Sequence, residues 1–125
     1  MTEKKTKVLL IDDDEAVIAF MAVKLGKYFN VVTTTNPSAV VALAGQERPD
    51  IILCDINMPG IKGDEVAWLL SENDITSRIP LVYLTALVSP DEPTELDDAF
   101  GGHIAVSKSA PLEELLQVIA QVTER

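Results

Sequence analysis

The chain has 125 residues, ten Lys and Arg against twenty Asp and Glu, a formal net charge of −10 at pH 7, and 47% hydrophobic with 24% charged residues. That length suits one domain, residues 1–125, and that composition is of an ordinary globular protein, which excludes disordered and collagen-like chains. The acidic balance excludes a direct nucleic-acid binder, which needs a basic footprint on the phosphate backbone.

In chain order, residues 8–11 open with a continuous apolar run, the pattern of a strand buried on both faces of a parallel sheet. Asp14 follows as the predicted N-cap of a first helix, with Glu15 as a first-turn charge and Val17, Phe20, Leu25 and Tyr28 marking its inner face. Residues 31–34 are β-branched and form a second predicted strand; Asn36-Pro37 then caps and starts a second helix ending near Gly45. Residues 51–54 are a third strand, and Val66, Leu69 and Leu70 mark a third helix, with Trp68 at its packed edge. After a fourth strand at 81–84, residues 92–100 suggest a fourth, weaker helix closed by Gly101-Gly102. A fifth strand at 104–106 leads to the clearest amphipathic helix, opened by Pro111 and lined by Leu112, Leu115, Leu116, Ile119 and Val122. Strands alternating with helices predict an α/β fold: a parallel sheet with right-handed crossovers and helices on both faces.

Other classes fall away on simple grounds. The longest apolar run, residues 16–23, is far short of the ~20 residues a membrane span needs, and no signal-peptide core is present. A single cysteine, Cys54, forms no internal disulfide; inside an apolar strand it reads as a small buried hydrophobe, and a reducing cytoplasm is the expected setting. His103, after two glycines, reads as a surface loop residue. Neither a Rossmann glycine fingerprint nor a Walker loop occurs.

In such sheets the functional groups stand just beyond the carboxyl ends of the strands. Here the first strand ends in Asp12-Asp13, the third in Asp55, the fourth in Thr85, and Lys108 follows the fifth. With the first and third strands adjacent, three carboxylates converge, and like charges that close call for a cation between them. Hard carboxylate oxygens with open water positions suit Mg²⁺, with Mn²⁺ as the alternative; one His and one Cys do not make a zinc site. Such a metal recruits a phosphoryl group, for which Lys108 and Thr85 are fitting partners. On this reading one carboxylate accepts a phosphoryl group.

The strings Leu10-Ile11-Asp12-Asp13-Asp14, Leu53-Cys54-Asp55-Ile56-Asn57-Met58-Pro59-Gly60, Leu84-Thr85-Ala86 and Ser107-Lys108 resemble the receiver domain of two-component response regulators, across essentially the whole chain. The resemblance implies a flavodoxin-like doubly wound (βα)5 three-layer sandwich with a five-stranded parallel sheet of order 2-1-3-4-5. It implies Asp55 as phosphoacceptor and Mg²⁺ held by the carboxylates of Asp13 and Asp55, the backbone carbonyl of Asn57, and Asp12 through water. Thr85 and the Ala86 backbone N–H would bind phosphoryl oxygens, and Lys108 would pair with the phosphate. The implied donor is a histidine kinase, a phosphotransfer protein or a small acyl phosphate. The implied output is a conformational shift read by a partner through the face of the fourth helix, fifth strand and fifth helix, with no output domain in the chain and no turnover enzyme activity.

Three positions depart from the family pattern. Ser109 stands where proline is usual, so a trans 108–109 bond, or a strained cis one, is expected, because a cis bond before a non-proline costs about 2.5–4 kcal/mol. Ala105 occupies the usual aromatic switch position, and Leu87 is apolar where many relatives are polar. The alternative function is therefore a degenerate receiver that binds partners without phosphorylation. An aspartyl-phosphate phosphatase resembling the haloacid dehalogenases is disfavoured, because Asn57 stands where its general acid/base would be. A flavin module would want a hydroxyl- and glycine-rich phosphate loop after the first strand, where Asp12-Asp13-Asp14 would instead repel a phosphate unless a metal intervened.

Overall fold

The computed structural model describes residues 5–56, 63–85, 94–95, 104–108 and 110–123. The described elements are β1 (Lys7–Ile11), α1 (Glu15–Leu25), β2 (Asn30–Thr34), a 3-10 turn (Pro37–Ala39), α2 (Val40–Glu47), β3 (Ile51–Asp55), α3 (Gly63–Ser71), β4 (Leu81–Thr85), β5 (Thr94–Glu95), β6 (Ile104–Ser107) and α4 (Leu112–Thr123). The sheet order is β2-β1-β3-β4-β6-β5. The first five strands in that order run parallel, which is the expected 2-1-3-4-5 arrangement with β6 as the fifth parallel strand.

The sheet differs from expectation at its edge. Of the helix expected over 92–100, Thr94 and Glu95 are described, and they form a strand antiparallel to β6, making six strands rather than five. The outer edge of β6 presents backbone donors and acceptors that need partners, and a β-branched residue after Pro93 is better suited to supply them than a helical turn.

Continuous apolar strands divide their side chains between two cores. Val8, Leu10, Leu53 and Leu84 face Ile18, Met21 and Leu25 of α1 and Leu115, Ile119 and Val122 of α4. Leu9, Ile11, Ile52, Cys54, Tyr83 and Ala105 face Val40 and Ala44 of α2 and Val66 and Leu70 of α3. All five residues of β3 are buried, as the middle strand of a covered sheet must be.

Asp14 caps α1 as expected, accepting from the N–H groups of Ala16 and Val17. The buried face of α1, however, is Ile18, Met21 and Leu25; Phe20 is 58% exposed, and Tyr28 lies beyond the helix end and is exposed. The helix is apolar on nearly every side, so the pattern of the segment left its rotation open and packing chose the Ile18 stripe. Asn36 caps the Pro37–Ala39 turn through Ser38 N–H, and α2 runs past Gly45 to Glu47, ending on Arg48 in the left-handed region (φ 49°). Trp68 points outward, 61% exposed, instead of packing at the edge of α3. The α3 terminus is closed by a residue with no obvious sequence signature: buried Thr76 donates its hydroxyl to the Leu70 carbonyl at 2.7 Å.

Candidate functional site

Strand register brings the acids together. Ile11 pairs with Cys54, so Asp12, one residue on, stands level with Asp55, and Asp55 pairs with Leu84. Thr85, paired with Ser107, occupies the next row outward. Alternation along parallel strands therefore aims Asp12 and Asp55 out of the same end of the sheet.

Asp12 and Asp55 are buried and Asp13 is exposed, and one carboxylate oxygen from each lies within 4.8 Å of the other two. Lys108 reaches back over the pair, with Nζ 2.9 Å from Asp12 Oδ2 and 3.2 Å from Asp55 Oδ2. Asp12 is fixed again by accepting the Asp14 backbone N–H on Oδ1 at 3.0 Å. Burial by itself would lower the Lys108 pKa; hydrogen bonds to Asp12 and Asp55 and their charges outweigh it and raise the pKa above the usual lysine value. Directly behind the acids, Cys54 is pushed up to about 12, first by burial and then by the charges of Asp55 and Asp12, so it is a protonated thiol at neutral pH.

Among the described residues the structure thus brings Asp12, Asp13, Asp55 and Lys108 into one group and sets Thr85 at the adjoining strand end. Ala105 is fully buried in the sheet, below this group. Asn57, Ala86, Leu87, His103 and Ser109 fall outside the described residues, as does the 108–109 bond. Lys108 was expected as a partner for phosphate; its bridging of both buried carboxylates was not legible. The Asp14 N–H bond to Asp12 did have a signal, an Asp two residues before a donor in a chain reversal.

The donor set fits a small hard cation. Three carboxylates face one ammonium, the oxygens are close enough to share an ion, and exposed Asp13 leaves an open side for water ligands. Among the described residues no helix is long and apolar enough to cross a membrane.

Residues 8–120 match the family model described as the response regulator receiver domain. The chain belongs to that family. This receiver domain is 38% identical over 82 residues to the response regulator PleD of Caulobacter vibrioides, a stretch covering 65% of this chain and 18% of PleD. It is 35% identical over 80 residues to Protein PilH of Pseudomonas aeruginosa, covering 63% of this chain and 66% of PilH. Among solved structures, chemotaxis protein CheY4 of Vibrio cholerae superimposes with a TM-score of 0.80 at 26% identity, covering 94% of this chain and 98% of that one. The BeF3-activated receiver domain of RstA from Klebsiella pneumoniae gives 0.79 at 27% identity, covering 95% and 99%. The receiver domain spans under a fifth of PleD's length.

Proposed function

We propose that this receiver domain accepts a phosphoryl group on Asp55 and signals its presence through a change of conformation. The observation that carries this is the ion-pair geometry: a buried carboxylate at the end of the central strand, 3.2 Å from an ammonium, beside two more acids. In the step, the P–O or P–N bond of the donor breaks and a bond forms between phosphorus and a carboxylate oxygen of Asp55. The leaving group departs with the electron pair. Phosphoryl transfer of this kind needs positioning and charge neutralisation more than covalent help.

Each residue then has a part. Asp13 and Asp55 would hold Mg²⁺ directly, or Mn²⁺ in its place, together with the Asn57 carbonyl. Asp12 has one oxygen taken by Asp14 N–H and the other by Lys108, which suits contact through water. The bound cation would supply charge neutralisation at the phosphoryl oxygens. Lys108 holds Asp55 in place before transfer and is within reach of the new phosphoryl group after it. Thr85 and the Ala86 N–H would complete the oxygen contacts.

The physiological donor is a histidine kinase or phosphotransfer protein, and acetyl phosphate would serve in vitro. The downstream contact is a protein or output domain bound at the β6–α4 side, in a cytoplasmic setting, with no turnover of a separate substrate. The test is incubation with Mg²⁺ and acetyl phosphate followed by intact mass. One added phosphoryl group in the wild type and none in Asp55→Asn is the expected result; equal labelling overturns the reading by putting the acceptor elsewhere, and none in either overturns it and leaves the degenerate receiver.

A further inference from the structure

One row of the sheet, directly beneath the acids, has an unusual composition. Reading across from β1 it is Ile11, Cys54, Tyr83, Ala105 and Thr94, each paired in register with the next. Tyr83 is 3% exposed and Ala105 is fully buried, and both belong to the core under α2 and α3. Among the described residues Tyr83 is the one fully buried aromatic; Phe29 is partly buried against the other core, and Phe20, Tyr28 and Trp68 are more than half exposed.

In-register side chains on neighbouring strands stand about 5 Å apart, so a small residue beside a buried tyrosine leaves room for its ring. Ala105 is that neighbour. The small residue at 105 and the large one at 83 are thus two halves of one packing solution, with the ring carried by β4 instead of β6. Its position is mechanically significant. Tyr83 lies two residues before Thr85 on β4, and Ala105 lies three before Lys108 at the end of β6. Both strands are short and hydrogen-bonded from this row through the next two, so the ladder sets their spacing while the packing at this row bears on their twist, and with it on the placement of residues 85 and 108 at the strand ends.

We propose that Tyr83 is a positioning residue of the phosphoryl site: its ring, packed beside Ala105, fixes the ends of β4 and β6 relative to each other and so places Thr85 against Lys108. This rests on the phosphoacceptor reading of Asp55 and adds a residue that touches neither acceptor nor phosphate. The ring, not the hydroxyl, does the positioning.

The test compares Tyr83→Phe, Tyr83→Ala and the exchanged pair Tyr83→Ala with Ala105→Tyr, measuring acetyl phosphate labelling, thermal midpoint and the backbone amide shifts of Thr85 and Lys108. Tyr83→Phe should label within about 2-fold of wild type, whereas Tyr83→Ala should lose about 10- to 100-fold in kcat with apparent KM nearly unchanged, as for a misplacement of reacting groups. The exchanged pair should recover most of the lost rate, a non-additive result expected only of residues in contact. A folded Tyr83→Ala that labels at the wild-type rate overturns the proposal, as does an exchanged pair that regains its thermal midpoint without its rate. Should Tyr83→Ala not fold, Tyr83→Leu carries the same expectation. A wild type that does not label overturns the Asp55 reading alone. The amide shifts then decide for Tyr83: displacement in Tyr83→Ala that reverts in the exchanged pair supports it, and unmoved amides overturn it.

Discussion

At the carboxyl end of the sheet Lys108 bridges Asp12 and Asp55, whose side chains are 3% and 7% exposed. At the amino end Lys7 meets Glu47 at 3.3 Å, with side chains 21% and 29% exposed, while its backbone N–H donates to Asp50 at 2.8 Å. Each end therefore sets a lysine against two acids, with Asp13 a third at the carboxyl end, yet only that end has the makings of a reactive site. The amino end also has a cleft, of about 640 Å³, lined by Lys5, Lys7, Phe29, Arg48 and Asp50 among others. What separates them is water. The lysines are similarly covered, but Glu47 stays 29% exposed and Asp50 is exposed, so solvent screens the acids beside Lys7 and the pair contributes little. Around Lys108 the acids have lost most of their hydration, and the ammonium and any added cation must replace it.

The largest effect expected from this contrast is chemical, not energetic. With its thiol pushed up to about 12 against an ordinary 9.0, native magnesium-free protein at pH 9 should alkylate at Cys54 several hundred-fold more slowly than the urea-unfolded chain, a difference of roughly three decades in thiolate fraction. The sign of the linked stability follows. The folded state favours the protonated thiol, so this contribution is whole below pH 9 and is lost as pH rises from 9 towards 12. Equal alkylation rates would mean that the row behind the acids is open to water.

Next in size, Lys108→Met should destabilise the metal-free protein by about 2–3 kcal/mol in urea titrations, because it leaves two buried carboxylates without their counter-charge. That is set a little below the full range for enclosed pairs, since the Lys108 side chain is 26% exposed. Magnesium should reverse part of that loss in the variant. For wild type, Mg²⁺ at ten times its Kd should raise stability by about 1.4 kcal/mol, with the gain removed by chelation. Asp13→Asn should weaken that response, and Asp50→Asn at the other end should leave it unchanged. The smallest effect belongs to the part-buried Lys7–Glu47 pair: Lys7→Met should change stability by less than about 1 kcal/mol, and by less still in high salt. A loss at Lys7 equal to that at Lys108 would break the contrast between the two ends.

Much of the site was legible before any coordinates because its residues sit where strands stop. An apolar run such as 8–11 or 51–54 that ends abruptly in Asp marks both the strand and the group displayed at its tip, and the doubly wound arrangement directs those tips to one edge. The role of Lys108 was only half legible. Its closer contact, Asp12, is at the opposite end of the chain, and no local pattern encodes a pairing that depends on β1, β3 and β6 lying in one sheet. The Tyr83–Ala105 match was hidden for the same reason, since residue 105 read alone shows only what it lacks.

By itself the sequence determined the alternation of strands and helices, the parallel run of the strands and the identity of the acids and the lysine; the strand order came with the family resemblance. Burial on both faces of a strand, and a polar residue at its end, are written in consecutive residues. Tertiary structure decided which stripe of α1 turned inward, because a helix apolar on nearly all sides can bury any of several faces and only the facing side chains discriminate. It decided that residues 94–95 would complete a sheet edge, because an edge is a property of the neighbour left unpaired. And it decided which of two similar lysine–acid groups lost its water, the one difference between the ends that composition cannot express.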